Sequence, residues 1–373
     1  MISPGRNSLM QTEVGRVTGI DRTRLGAQEL RVTVGDREER AINYTQLLGE
    51  VRVNELVLLN TTAVRAGLGT GGYHFVMKRA EEAQPRPEGA GHIVKLRYTP
   101  LQFRCLSVEE QDSPYREAIE ACHDLDEMPV IVAGLHSQIA PASAAVKALA
   151  PEAKIAYVMT DTAALPISFS RLVADLKQAQ LLDATITVGQ AFGGDLEAVN
   201  VFTGLLAARA VVGAQVAIVA QGPGNVGTET EWGFGSISQG DQINAAAALG
   251  GFPIAVPRIS FADTRPRHRG ISQQSLVVLS RVALVPTVVS IPQMAPEKLE
   301  FVQRQLDDEE ITTKHEVLVA RGEIGVSGLA ERGIEVKTMG RTMEEDSEFF
   351  LAAGAAGAIA AERLRWTPDS ESD

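Results

Sequence analysis

Residues able to carry acid–base, nucleophilic or ligand chemistry recur at equivalent places along the second half of this 373-residue chain. His136 and Ser137 sit in Gly134-Leu-His-Ser-Gln138, and Asp161 follows Ile155-Ala-Tyr-Val-Met-Thr. Asp195 closes Gly189-Gln-Ala-Phe-Gly-Gly-Asp, Glu229 follows Gly222-Pro-Gly-Asn-Val-Gly-Thr, and His268 lies in Arg265-Pro-Arg-His-Arg269. An unperturbed imidazole titrates near neutral pH, so His136 could serve as general base or ligand. A lone histidine is more often a hydrogen-bonded structural residue. Ser137 as nucleophile would need a base beside it. A nucleophile elbow needs serine at the centre of Gly-x-Ser-x-Gly, and here His136 holds that place. Carboxylates and imidazoles converging from separate loops could also bind a divalent metal or share proton transfer. No tight ligand spacing such as His-x-x-x-His accompanies them. Asp161 and Asp195 equally suit helix capping.

Gly222-Pro-Gly-Asn-Val-Gly227 fits Gly-x-Gly-x-x-Gly and follows an apolar run, which makes Gly222, Gly224, Asn225 and Gly227 candidate cofactor-binding positions. Its flanks fit a dinucleotide fingerprint poorly. Thr228-Glu-Thr-Glu-Trp-Gly-Phe-Gly is a weak helix start, and the next apolar run begins too late for an acidic ribose contact. Arg265, Arg267 and Arg269 form a local basic patch, and arginine grips carboxylate or phosphate with two prongs. A small anionic ligand is therefore the best-supported class, with Arg265 and Arg267 as candidate contacts. The competing reading is a solvated loop paired to surface acids. Trp232 and Phe234, flanked by glycines, could stack on a ring or pack as a lid.

Elements that must position these residues are readable from hydrophobic period. Apolar runs near residues 129, 155, 184, 216, 254 and 285 are apolar on both faces and alternate with helical segments near 141–149, 166–181, 196–212, 238–249 and 294–306. That pattern predicts parallel strands covered by helices on both sides. In such a sheet, loops after successive strands gather along one edge, where ligands bind. Two more strands are expected at His315 to Ala320 and Ile334 to Thr338, then a final helix from Glu344 to Leu364. Gly354, Gly357 and the alanines of that helix predict close packing within the domain, with a dimer interface as the alternative. Before residue 80 the period is two. Short runs at 13–20, 29–34, 40–44, 51–60 and 73–77, with a Gly35-Asp36 hairpin signal, predict a small β-barrel. The polar stretch from Glu81 to Gly91 reads as a linker. The expected architecture is α/β. A small β-barrel domain occupies residues 1–90, and a mostly parallel-sheet, three-layer α/β domain occupies residues 91–373.

Composition narrows the partners. A formal net charge of −12 argues against nucleic acid held by a general basic field. No apolar stretch approaches membrane-spanning length, and Met1 to Asn7 lacks the apolar core of a signal peptide. The two cysteines, Cys105 and Cys122, form no metal or redox motif and are expected as buried free thiols. A cytoplasmic location follows as an expectation, and a homo-oligomer stays open.

The segments Gly91-His-Ile-Val-Lys-Leu-Arg-Tyr-Thr-Pro-Leu-Gln102, Gly134-Leu-His-Ser-Gln138 and Gly270-Ile-Ser-Gln-Gln-Ser275 carry a further signal. With them the chain resembles an uncharacterised bacterial family, domain of unknown function 3866, over nearly its whole length. That family tends to carry histidines in the Gly-Ile-Ser segment, where this chain has Gln273 and Gln274, so those positions are not obligatory ligands or bases. The resemblance implies a soluble bacterial protein and no particular activity. From the residues, the expected function is a hydrolase or group transferase acting on an anionic, phosphorylated or nucleotide-like substrate. A nucleotide-dependent oxidoreductase through Gly222–Gly227 and a non-enzymatic binding or regulatory protein are the alternatives.

Overall fold

In the computed structural model, residues 10–67, 71–79, 90–99 and 101–365 are described. Residues 81–89 of the expected linker and residues 68–70, between the expected strands at 51–60 and 73–77, lie outside them. The chain divides into two compact units, one within Met1–Gly89 and Leu96–Phe103, the other within Ala90–Lys95 and Arg104–Asp373.

The first unit is a closed five-stranded barrel. Its strands are β1 (Thr12–Arg24), β2 (Ala27–Val34), β3 (Arg37–Tyr44), β4 (Leu56–Asn60) and β5 (Tyr73–Arg79), in the order β1-β2-β3-β5-β4. Gly35, at φ 59°, supplies the left-handed residue that the β2–β3 hairpin needs. Alternation turns Val17, Leu30, Val32, Val57, Leu59 and Val76 inward as one apolar cluster. Closure leaves no unpaired edge. Arg65 grips Glu39 through both terminal nitrogens at 2.6 and 2.8 Å and reaches Glu13 at 2.7 Å, and His74 Nε2 lies 2.8 Å from Glu39.

Two short strands, β6 (Ile93–Lys95) and β7 (Phe103–Cys105), form a sheet of their own. Eight parallel strands then build the second unit. They are β8 (Pro129–Ala133), β9 (Ile155–Thr160), β10 (Ala184–Val188), β11 (Leu196–Ala198), β12 (Val216–Gln221), β13 (Phe252–Val256), β16 (Val288–Pro292) and β17 (Glu316–Ala320). Between β13 and β16, β14 (Ile259–Ser260) and β15 (Gly270–Ile271) pair as a small antiparallel ribbon. The large sheet runs β11-β10-β9-β12-β8-β13-β16-β17. β8, β9 and β12 are buried at every residue, as strands covered on both faces must be. The helices Ile139–Leu149, Glu323–Ala330 and Ser347–Arg365 pack on one face, and Val201–Ala210 and Ser238–Ala248 on the other.

The final helix is internal, as its small residues suggest. A side chain at Gly354 would collide with the Gly322 carbonyl, and one at Gly357 with the Ala142 carbonyl. Several local expectations differ: the helix expected at 166–181 begins only at Arg171 and the strand expected at 51–60 only at Leu56. Leu196–Ala198 opens the predicted 196–212 helix as a strand, because it pairs with Ile186–Val188 before the helix begins at Val201. Ile334 to Thr338 forms no strand and makes one bridge, Thr338 to Arg341. Cys105 and Cys122 are free but only partly buried. No helix among the described residues is long and apolar enough to cross a membrane.

Candidate functional site

The sheet order places a switch at its centre. From β8 the chain passes over to β9, β10 and β11, returns to lay β12 between β9 and β8, and then builds outward from β13. Loops leaving β8 and β12 therefore diverge to opposite faces, opening the crevice where α/β sheets bind ligands. His136 occupies that point, in a tight turn (His136–Gln138) directly after β8.

His136 Nε2 lies 2.7 Å from the Ser170 hydroxyl, and Nδ1 lies 3.1 Å from the Tyr157 hydroxyl and 3.3 Å from the Gln221 carbonyl. The network assigns the protons. Ser170 Oγ accepts the Val173 amide at 3.1 Å, which leaves its own hydrogen for Nε2. Nδ1 then carries the ring proton toward the Gln221 carbonyl and Tyr157, and the Tyr157 hydroxyl donates to the same carbonyl at 3.2 Å. Burial pushes the imidazole down to about 4, with the Gln221 carbonyl opposing, so the ring is neutral at pH 7. Ser170 stands in extended backbone as the N-cap of the helix Arg171–Gln178. Of the first-turn amides of that helix, which have no acceptor within it, the Val173 amide is the one that donates to the hydroxyl.

Buried glutamines tie the surrounding strand ends together. Gln221 donates to the Gly134 carbonyl at 3.1 Å and accepts the Thr162 hydroxyl at 3.0 Å. Gln239 donates to the carbonyls of Val132 and Val256 at 2.8 and 3.0 Å, and Gln242 to the Thr160 hydroxyl at 3.1 Å. The centre of the site is thus polar and uncharged.

Of the residues singled out in the sequence, His136 is at this centre and the others are not joined to it by hydrogen bonds. Ser137 follows His136, but the hydroxyl paired with the imidazole belongs to Ser170. Asp161 reaches the strand edge and accepts the Gln190 amide at 2.9 Å, fixing the loop after β10 rather than capping a helix. Asp195 is a correction. Its chain turns back after β10, so it accepts the Thr185 amide at 2.8 Å level with the start of that strand, and Lys177 holds it at 2.5 Å. It therefore lies toward the opposite edge of the sheet. Glu229 is exposed and paired with Arg267 at 2.6 Å.

The Gly222–Gly227 loop leads into a bridge between Gly227 and Phe234, and the helix starts only at Ser238. A side chain at Gly222 would strike the Ala164 carbonyl, Gly224 sits at φ 102°, and Asn225 Oδ1 accepts the Ser236 amide at 2.9 Å. These glycines serve loop packing and turning, without the direct loop-to-helix entry of a pyrophosphate cradle. Trp232 is about half exposed in this loop, whereas Phe234 is buried.

The arginine patch is largely spent on protein partners. Arg265 chelates Asp263 at 2.9 and 2.7 Å, and the Arg269 guanidinium lies 6.0 Å over the Phe301 ring. Hydrogen bonding from Arg265 holds Asp263 below the usual carboxylate range. His268 is buried and bonded through Nδ1 to Arg258 at 3.2 Å; burial and then the Arg258 charge push it down to about 4. Among the described residues, no three His, Cys, Asp or Glu side chains are grouped to hold a metal ion.

Sequence reasoning missed Ser170, Tyr157 and Gln221. A serine before Arg171-Leu-Val-Ala-Asp-Leu-Lys is a legible N-cap signal, hidden when the helix is started at residue 166. The chain matches no curated protein. Residues 40–357 match a family described as "Protein of unknown function (DUF3866)".

Proposed function

The chain belongs to that family, DUF3866, and we propose that it is a hydrolase or group transferase using Ser170 as nucleophile and His136 as its base. The observation that carries this reading is the 2.7 Å contact between Ser170 Oγ and His136 Nε2, with Nδ1 held by the Gln221 carbonyl and Tyr157. Nucleophile, base and orienting group thus stand in the order that activates a hydroxyl.

The reaction runs as acyl transfer. Ser170 Oγ forms a bond to the substrate carbonyl carbon while its proton passes to Nε2. The bond to the leaving group breaks, and the leaving group takes that proton. Water, or another hydroxyl in a transferase, then attacks the acyl-serine, returning a proton through His136 to Ser170. First-turn amides of the Arg171–Gln178 helix are suited to the developing oxyanion.

A second reading rests on the Val173 amide bond to Ser170. Under it the serine is a helix cap and the histidine a lock between strand ends. A fluorophosphonate probe separates the two. The proposal expects one labelled serine, Ser170 by peptide mapping, with labelling abolished in Ser170→Ala and His136→Gln variants that keep the native circular dichroism spectrum. Native protein that takes no label, and hydrolyses a panel of short-chain esters no faster than Ser170→Ala does, would leave only the lock.

A further inference from the structure

The acid–base pair lies under cover. Ser170 is 6 % exposed, and the cavity beside the His136 turn, lined by Gly134, Leu135, Ser236 and Val256, has room for about one water. A substrate reaches the pair only if a covering segment moves.

The loop that follows β12 is placed to be that segment. Its root, Gln221, holds the His136 ring through its carbonyl at 3.3 Å. Its outgoing limb lies against the chain that leads to Ser170. The Ala164 amide donates to the Pro223 carbonyl at 3.2 Å, and a side chain at Gly222 would strike the Ala164 carbonyl. Its returning limb passes the end of β8, where a Cβ on Gly134 would stand 3.7 Å from the Ser236 Cβ. Its tip is tied farther along the edge, to residues that follow β13. Glu229 pairs with Arg267 at 2.6 Å and Glu231 with Arg281 at 3.8 Å. Since β8 lies between β12 and β13, the loop spans the end of the strand that carries His136.

The tip is otherwise bonded mainly to itself. The Thr228 amide donates to the Gly233 carbonyl and the Gly235 amide to the Val226 carbonyl, both at 2.9 Å, so the loop is a hairpin able to move as a unit. Every residue from Gly224 to Trp232 is exposed, Val226 and Trp232 among them, so lifting the tip uncovers little apolar surface. Phe234, 5 % exposed, is the buried footing of the returning limb. Glu229 stands at φ 66°, a left-handed conformation unfavourable for a non-glycine residue, and its ion pair helps to hold it there. Exposed ion pairs are weak and screened by salt. Segments held this lightly open locally while the rest of the fold stays intact.

We propose that residues 223–235 form a strap that gates the His136 edge of the sheet, with Glu229–Arg267 and Glu231–Arg281 as its ionic clasps. The proposal rests on the reading of Ser170 and His136 as a reactive pair, and it deepens that reading by naming what admits substrate.

The test removes the clasps and reads two quantities. One is hydrogen exchange of the peptide over residues 134–138, whose Leu135 and Gln138 amides are hydrogen-bonded; it needs no reaction. The other is the rate of fluorophosphonate labelling at Ser170. Arg267→Gln combined with Arg281→Gln is expected to raise both on the order of fivefold, a size suited to two exposed ion pairs. High sodium chloride should produce the same rise in the native protein and no further rise in the variant. The charge swap Glu229→Arg with Arg267→Glu should return both rates to near native, which separates pairing from loss of folding. Native exchange in the clasp variant, or a swap that exchanges as fast as that variant, overturns the clasps. Faster exchange with an unchanged labelling rate overturns the gate. Faster exchange with no labelling in any form upholds the strap and removes the nucleophile assignment instead.

Discussion

Ser170 Oγ and His136 Nε2 lie 2.7 Å apart although 34 residues separate them in sequence. The pair forms because β8 and β9 present their following loops on the same edge, two strand positions apart, with Gln221 at the end of β12 between them. Its dependence on Tyr157 makes the first prediction. Tyr157→Phe removes a hydroxyl within 3.1 Å of Nδ1 and leaves the Gln221 carbonyl in place. Tyr157 is a positioning residue, so the rate of probe labelling at Ser170 should fall on the order of tenfold, equivalent to one hydrogen bond of ~1.4 kcal/mol. Its pH profile should shift as well. An unchanged rate and profile would show that the carbonyl alone orients the ring.

Acid should weaken the fold in two separable steps. The folded His136 imidazole titrates at about 4 and an unfolded one near 6.5, so the unfolded chain takes up a proton across that window and the folded chain does not. Stability must then fall as pH drops from about 6.5 to about 4, by ~3 kcal/mol for this group. His268, also pushed down to about 4, acts in the same window. Asp263, depressed through Arg265, has the same sign but a lower window: its stabilisation is lost only as pH falls below the ordinary aspartate range of ~4. Urea midpoints between pH 8 and 4 measure the first step, and His136→Gln should flatten part of it. Native and variant midpoints that fall in parallel would contradict the assignment.

Packing at the final helix allows no side chain at two positions. Gly354→Ala would drive a methyl group into the Gly322 carbonyl, so backbone has to move. A loss of about 3 kcal/mol or more is expected in urea unfolding, at the upper end for overpacked cores. Gly333→Ala is the control for left-handed backbone without a clash: Gly333 sits at φ 64° with open space around its Cα. Its cost should be smaller, about 1 kcal/mol. Equal losses would mean that the helix can shift freely.

Lys95 is fully buried, with its ammonium 2.5 Å from Glu197 and from the Ala191 carbonyl, and 3.4 Å from the Thr187 carbonyl. Lys95→Met would strand the Glu197 charge and should cost ~3–5 kcal/mol. Adding Glu197→Gln should recover much of that loss, because the stranded charge is gone. A double variant no more stable than Lys95→Met would place the cost in packing rather than charge.

How much was legible in the chain depended on distance along it. Buried strands announced themselves because Val216-Ala-Ile-Val-Ala-Gln is apolar on both faces, and the structure buries all six residues. The barrel was readable from period-two runs and the Gly35 turn. His136 was found because it directly follows a strand. Ser170 was not, since its importance lies in a partner 34 residues away, and its own neighbourhood shows only a helix cap. Asp195 misled for a related reason. Its position after β10 implied the site edge, but the seven residues from Gly189 fold back along the strand and carry it to the other end. The run of arginines from Arg265 misled as well, since its acidic partners come from Asp263 close by and Glu229 in a distant loop.

The placement of β12 bears on how the molecule is made. β8 and β9 are synthesised first, yet they never touch as neighbours; each bonds to a flank of β12, which emerges more than fifty residues after β9 ends. Such late, long-range insertion is slow and exposes the chain to mispairing. The same event delivers the Gln221 carbonyl to His136. Completing the sheet is therefore also what gives the His136 ring its Nδ1 acceptor.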